Sequence, residues 1–230
     1  VFILAAAFAA LFATAFQPAF GGENSSADAV ATGKLVWDTP SPDWNGTIPL
    51  GNGDLCVNAL YTAADGRLHL LLSRIDAFDD YGRIVKVGEV AISVFGDGYK
   101  PEFSNNFKQE LNFRDGYATI ALGEPGKQTN VRFWVEEGRP VVVAEIDSDL
   151  DLAPRATSEL WRSEPREVIP KGEVGDLFWN RGAIEVYPDV VLGADKMRPL
   201  EAIGWYHRNV ETPYFMENIK VQGLEDAPTL

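Results

Sequence analysis

A loop rich in tryptophan, proline and glycine, running from Trp37 to Leu55, limits what this chain can fold into more than any other feature of the sequence. It contains two Trp, three Pro and the run Gly51-Asn52-Gly53, a mixture that regular helices and long strands do not accommodate. Proline fixes φ and lacks an amide donor, whereas glycine adopts positive φ without steric cost. We therefore predict an ordered loop and a sharp turn over 49–53 that leads into a strand beginning near Leu55.

Short runs of aliphatic, β-branched and aromatic residues, separated by turn signals, dominate the chain from Lys34 onward. The Asp-Gly pairs at Asp65 and Asp115 predict two hairpins, and no segment sustains a helical apolar period. The pattern indicates an all-β fold, an antiparallel β-super-sandwich of two curved sheets, with long loops over 163–199. The predicted strands are 55–61, 68–72, 87–95, 107–113, 117–122, 129–135, 141–146, 156–161, 184–187 and 203–207.

The N-terminal segment is apolar and uncharged through its first 20 residues, and the chain turns polar after Gly22. This composition predicts a signal peptide over 1–21 and a flexible mature N-terminus over 22–33, so the protein is expected to be secreted or periplasmic. The apolar run is short for a bilayer span and no basic cluster follows it, so no stable membrane span is predicted. The cleavage site stays open among small residues near positions 15, 21 and 29.

The sandwich domain is predicted to span 34–230. The chain stops at Leu230 without a closing strand or helical pattern, and we interpret the domain as truncated at its C-terminus.

The charge balance limits the classes of partner that the protein is expected to bind, because 34 acidic against 20 basic residues give a net charge of −14. Such a surface repels nucleic acid and anionic lipid, whereas neutral carbohydrate remains open as a partner. The single cysteine, Cys56, excludes an internal disulfide and is predicted to be a small buried side chain. Two histidines do not make a zinc site, and no regularly spaced calcium loop is present, so we predict no metal and no cofactor.

The Trp-rich loop and the strand-turn-strand that follows resemble the N-terminal domain of glycoside hydrolase family 95, the α-L-fucosidase-like enzymes. The chain resembles more closely an uncharacterised family of secreted bacterial proteins that shares this domain. The motifs that carry the resemblance are Leu35-Val36-Trp37, Pro42-Asp43-Trp44-Asn45, Ile48-Pro49-Leu50-Gly51-Asn52-Gly53, Lys86-Val87-Gly88-Glu89, Tyr187-Pro188-Asp189-Val190-Val191-Leu192 and Gly204-Trp205-Tyr206-His207-Arg208-Asn209.

This resemblance implies a β-super-sandwich that precedes an (α/α)6 barrel, missing here, in secreted proteins that act on plant or host polysaccharide. In the fucosidases the catalytic residues belong to the barrel, so none is carried over to a position of this chain. The barrel of the same protein becomes an expected partner. The run 73–80 departs from the fucosidase pattern, so the resemblance does not establish fucose as the substrate.

Six residues are candidate substrate-binding positions, because each combines with neighbours into an aromatic and polar surface of the kind that stacks on sugars and bonds their hydroxyls. Each group also has a structural interpretation. Trp44 can cover the core of the sandwich, and Asn52 can be a turn residue. The segment 205–209 can be an edge strand that packs Trp205 and His207 inward. The six candidates are Trp44, Asn52, Trp205, His207, Arg208 and Asn209.

Two further groups are assigned structural roles. His69 is predicted to be a structural histidine with satisfied hydrogen bonds. The acidic group Asp76, Asp79 and Asp80 is interpreted as a solvated loop or calcium-binding turn in preference to a catalytic pair, since the sequence singles out no two carboxylates for glycoside hydrolysis.

Two functional hypotheses follow from the sequence. The first is a non-catalytic N-terminal β-sandwich domain of a secreted glycoside-hydrolase-like protein. The second is a self-sufficient carbohydrate-binding, lectin-like module. A purely structural cell-surface module is a third possibility.

Overall fold

The structure, a computed structural model, describes residues 32–78, 84–168, 184–192, 204–207, 220, 221 and 223. They form two compact units, which are treated separately. The sandwich unit holds the described residues up to Leu72 together with 89–157, and the second unit holds those of 73–88 and from Ser158 onward. The predicted signal peptide, Arg208, Asn209, Asp79 and Asp80 lie outside the described residues.

Fourteen strands account for most of the described chain. They are β1 (Lys34–Trp37), β2 (Ile48–Gly51), β3 (Leu55–Thr62), β4 (Arg67–Phe78), β5 (Ile84–Ser93), β6 (Lys108–Asn112), β7 (Tyr117–Leu122), β8 (Thr129–Val135), β9 (Val142–Ser148), β10 (Arg155–Glu159), β11 (Arg166–Val168), β12 (Ile184–Val186), β13 (Val190–Leu192) and β14 (Gly204–Tyr206). No helix within the described ranges is long and apolar enough to cross a membrane.

Two five-stranded antiparallel sheets make the sandwich. One has the order β1-β6-β7-β8-β9 and the other the order β10-β5-β4-β3-β2. Strands β2 and β3 of the second sheet face β8 of the first. The prediction of an all-β fold with two packed antiparallel sheets is therefore confirmed. Strands β4 and β5 continue from the sandwich unit into the second unit, where the pairs β11-β12 and β13-β14 add two small antiparallel sheets.

The core follows from the two-residue period of the strands, which sends alternate side chains to one face. On β8, Val131 and Phe133 are fully buried, while Asn130 and Arg132, which alternate with them, are exposed. On β4, Leu68 and Leu70 are fully buried in the same alternating way. Burial of one apolar face on each sheet is the main favourable term for this unit, at about 25 cal/mol per Å² of apolar surface.

Both predicted hairpins are present. The turn between β3 and β4 has Gly66 at φ +66°, and the turn between β6 and β7 has Gly116 at φ +72°. Each glycine amide closes its turn by donating to the residue four positions earlier, Thr62 O at 3.0 Å and Asn112 O at 2.9 Å. Positive φ disfavours any side chain, which explains why Asp-Gly predicts these turns from sequence.

Three local predictions are corrected by the structure. The expected turn over 49–53 is shorter, because Ile48–Gly51 form strand β2. Pro49 is compatible with a strand there because β2 lies at the edge of its sheet, where one side of the strand needs no amide donors. Cys56 is exposed where it was predicted to be buried, since the alternation of β3 buries Leu55 and Val57 and turns Cys56 to the other face.

The third correction concerns the stretch 163–199, which was expected to form long loops around the one predicted strand at 184–187. Its described residues include the short strands β11 and β13 beside the predicted β12. Three-residue strands leave too little periodic sequence to be recognised before their partners are known.

The two turn glycines allow a matched stability test. A Cβ at Gly66 would lie 2.4 Å from the Tyr99 ring, whereas a Cβ at Gly116 meets nothing within 4 Å. Both changes to Ala carry the cost of positive φ, about 1–2 kcal/mol, and only Gly66→Ala adds a clash with a ring, about 1–3 kcal/mol more. Chemical denaturation should therefore show Gly66→Ala to be clearly less stable than Gly116→Ala. Equal losses would mean that Tyr99 does not pack on this turn.

Candidate functional site

Asn52, a predicted binding residue, joins two loops of the sandwich unit. The side-chain nitrogen of Asn52, Nδ2, donates to Glu136 O at 2.7 Å and to Arg139 O at 3.0 Å. Its side-chain oxygen accepts from the amides of Asp54 at 3.0 Å and Leu55 at 2.9 Å. Two donors and two acceptor positions exhaust the bonding capacity of a carboxamide. The side chain thus holds the turn before β3 against the loop between β8 and β9.

Trp44, a second predicted binding residue, lies in a short 3-10 turn, Trp44–Gly46. The Asp43 side chain caps this turn by accepting from the Asn45 amide at 2.9 Å. The indole is 42% exposed and meets the His69 ring edge-on, with centroids 6.0 Å apart. Trp44 is therefore available to solvent on one side and packed against the sandwich on the other.

His69 has partners on both ring nitrogens. Nδ1 lies 2.5 Å from Oε1 of the buried Glu89, and Nε2 lies 3.2 Å from Thr62 Oγ1. Asp65 Oδ2 lies 3.7 Å from the same Nε2. The prediction of a satisfied structural histidine is confirmed. A histidine beside the buried carboxylate of Glu89 also supplies the hydrogen bond that such a group needs.

Trp205 and Tyr206, in the second unit, point to opposite faces of the β13-β14 pair. Tyr206 lies opposite Val190 and is 46% exposed. Trp205 packs on Gly88, where a Cβ would come within 2.9 Å of the indole, and its Nε1 donates to Val87 O at 3.3 Å. The predicted inward packing of Trp205 therefore has a specific cause: Gly88 offers a flat surface that no other residue would leave open.

Asp189 is the centre of a polar network in this unit. Its Oδ1 accepts from Arg162 Nε at 2.8 Å and lies 2.9 Å from His207 Nδ1. The Asp189 amide donates to Arg162 O at 2.8 Å, which ties the backbones together as well. The remaining guanidinium nitrogens of Arg162 donate to Lys86 O and Val87 O, each at 3.0 Å. One arginine thereby joins three segments that are distant in sequence.

The second oxygen of Asp189 is unusual. The Asp189 side chain is only 1% exposed, and its Oδ2 has no hydrogen-bond partner among the described residues. A buried carboxylate oxygen without a donor is unfavourable by about 1–3 kcal/mol or more. Such an atom marks a place where a ligand hydroxyl or a bound water would be stabilised.

Two exposed aromatic residues lie next to members of this network in the sequence. Trp161 precedes Arg162 in the chain and is 46% exposed, and the Lys86 Nζ lies 5.7 Å from its ring centroid. Tyr187, two residues before Asp189, is also exposed. We use the name aromatic-polar cluster for Lys86, Trp161, Arg162, Tyr187, Asp189, Trp205 and His207.

The structure divides the predicted site residues between the two units. Trp44 and Asn52 belong to the sandwich unit, whereas Trp205 and His207 belong to the second unit and meet in the aromatic-polar cluster. Arg208 and Asn209 fall beyond the described residues. Sequence reasoning missed Trp161, Arg162 and Asp189 as site residues. Arg162 and Asp189 lie 27 positions apart, so no local sequence pattern predicts their ion pair.

The fold and the cluster define an all-β antiparallel sandwich domain with an aromatic and charged surface in its second unit. The comparison with protein families gives its membership: residues 36–229 match the N-terminal domain of DUF5703, described as a domain of unknown function. The chain belongs to this family. The expectation of an uncharacterised domain family is confirmed. No curated protein matches the chain.

Asn52 provides a stability prediction from this geometry. Asn52→Asp removes both donors and places a carboxylate oxygen against two carbonyl oxygens, so we expect a loss of about 2–4 kcal/mol in the free energy of unfolding. Asn58→Asp is the matched control, since Asn58 is exposed on β3 and the charge change is the same. It should stay within about 0.5 kcal/mol of the parent. Similar denaturation midpoints for the two variants would contradict the assigned role of Asn52.

Proposed function

We propose that this chain is a non-catalytic β-sandwich domain of a secreted glycoside-hydrolase-like protein, and that it holds a glycan chain at the aromatic-polar cluster. The observation that supports this most directly is the combination of exposed Trp161 and Tyr187 with the Arg162-Asp189-His207 network. Exposed aromatic rings beside a dense set of hydrogen-bonding groups are the chemistry that sugar recognition uses.

Each part of the cluster has a role in this proposal. A pyranose ring presents an apolar face that stacks on an indole or phenol, and hydroxyls around its rim that need polar partners. The exposed His207, which is held by Asp189 through Nδ1, supplies a polar ring at this surface. Trp205 is given a supporting role, because its indole is committed to Gly88 and Val87.

The wider setting of the proposal rests on the sequence. The Trp-rich motif from Leu35 to Gly53 supports a relation to glycoside hydrolase family 95, and the apolar leader over 1–21 supports export. By the same resemblance, a C-terminal helical barrel of the same protein is the proposed partner that carries catalysis.

The cluster yields a direct binding test. In titration calorimetry or affinity electrophoresis against plant and host polysaccharides, Trp161→Ala should weaken binding about 3-fold to 10-fold, the value of one aromatic contact. Trp37→Ala is the matched control, because Trp37 is a similarly exposed tryptophan on β1 of the sandwich unit. Binding that is unaffected in Trp161→Ala, or equally lost in Trp37→Ala, would remove the cluster as the site.

A self-sufficient carbohydrate-binding module is the second candidate, favoured by the same exposed rings. The purified chain should release no sugar from aryl fucosides, galactosides or xylosides under either hypothesis, and hydrolysis at an enzyme-like rate would contradict both. The two diverge on assembly. A separately expressed helical-barrel domain that binds the chain and is activated by it supports the first hypothesis, whereas glycan binding with no effect on any barrel supports the second.

A further inference from the structure

The net charge of the aromatic-polar cluster is opposite in sign to the net charge of the whole chain. The protein has 34 acidic and 20 basic residues, yet the charged side chains of the cluster are Lys86 and Arg162 against the single carboxylate of Asp189. Building on the function proposed above, we propose that the glycan bound at this cluster is acidic and presents a uronate carboxylate to Lys86.

Lys86 is placed to receive that group. Its Nζ lies 5.7 Å from the centroid of the Trp161 ring, and both side chains are exposed. A uronic acid stacked on this ring carries its carboxylate at the rim of the sugar, within reach of a lysine that stands over the same indole. A neutral sugar has no charged group that makes use of this cation.

Asp189 does not oppose an acidic ligand. Its Oδ1 is in contact with the Arg162 guanidinium and the His207 ring, and its side chain is almost completely buried. The carboxylate is therefore compensated within the protein and adds little negative potential at the surface. Its Oδ2 is likewise closed off from solvent.

Screening explains how a local cation can outweigh a net charge of −14. At physiological ionic strength, charges separated by more than about 8 Å interact weakly. The ligand carboxylate then responds to Lys86 more than to acidic side chains elsewhere on the protein. Binding should weaken as salt rises, because this contact is exposed.

The experiment compares acidic polymers with neutral polymers of the same backbone. The whole chain is titrated with polygalacturonate and alginate, and with the carboxyl-reduced form of each, at fixed ionic strength. We expect at least one acidic polymer to bind about tenfold more tightly than its reduced form. Lys86→Met should abolish this difference and change the affinity for the reduced form by less than about twofold.

Two variants serve as controls. Lys86→Arg keeps the positive charge and should retain the preference for the acidic polymer, which separates loss of charge from loss of structure. Lys127→Met removes an exposed lysine from the sandwich unit and should leave the preference intact.

Three outcomes would overturn the inference. A neutral form that binds as tightly as its acidic parent, or a preference that survives in Lys86→Met, shows that Lys86 does not read a carboxylate and leaves glycan binding itself standing. Absence of binding to every acidic and neutral glycan removes the proposed function together with this inference.

Discussion

Alternation of buried and exposed side chains along the strands is the constraint on which the rest of the structure depends. Phe133 and Val131 on β8 and Leu68 and Leu70 on β4 are fully buried because the two sheets face each other across these residues. A shift of one residue in any register would exchange the buried and exposed sets. The hairpin turns at Gly66 and Gly116 fix the register of their strand pairs, so local turn chemistry and core burial support each other.

The Trp-rich loop is held mainly by polar contacts with the sandwich. Asn52 uses all the hydrogen-bonding capacity of its side chain to join two loops. The Trp44 ring contacts the His69 ring edge-on, and His69 is in turn hydrogen-bonded to the buried Glu89. These contacts give a structural account of residues that the sequence also offered as binding positions. Trp44 and Trp37 are the two large apolar side chains that the loop leaves exposed.

The second unit carries the more demanding chemistry. A buried carboxylate is tolerated only with charged or hydrogen-bonding partners, and Asp189 obtains them from Arg162 and His207 on one oxygen alone. The cost of removing the Arg162 guanidinium from water is offset by two hydrogen bonds that it donates to backbone carbonyls near the start of β5. Removal of either partner would leave a buried charge, so the network and the local fold are stabilised together. The exposed side chains of Trp161 and Tyr187 lie next to this network in the sequence.

The sequence alone determined the all-β class, both hairpins, the bounds of β7 and β8 and the structural role of His69, because alternation and turn glycines are local signals. It did not determine that Ile48–Gly51 form an edge strand or that Cys56 is exposed, since both depend on which neighbour pairs with which side of a strand. The candidate site was half visible: Trp205 and His207 stood out by composition, whereas Arg162, Asp189 and Lys86 became site residues only through contacts that span 18 to 76 positions. Such contacts follow from the path of the whole chain, and only the tertiary structure decides them.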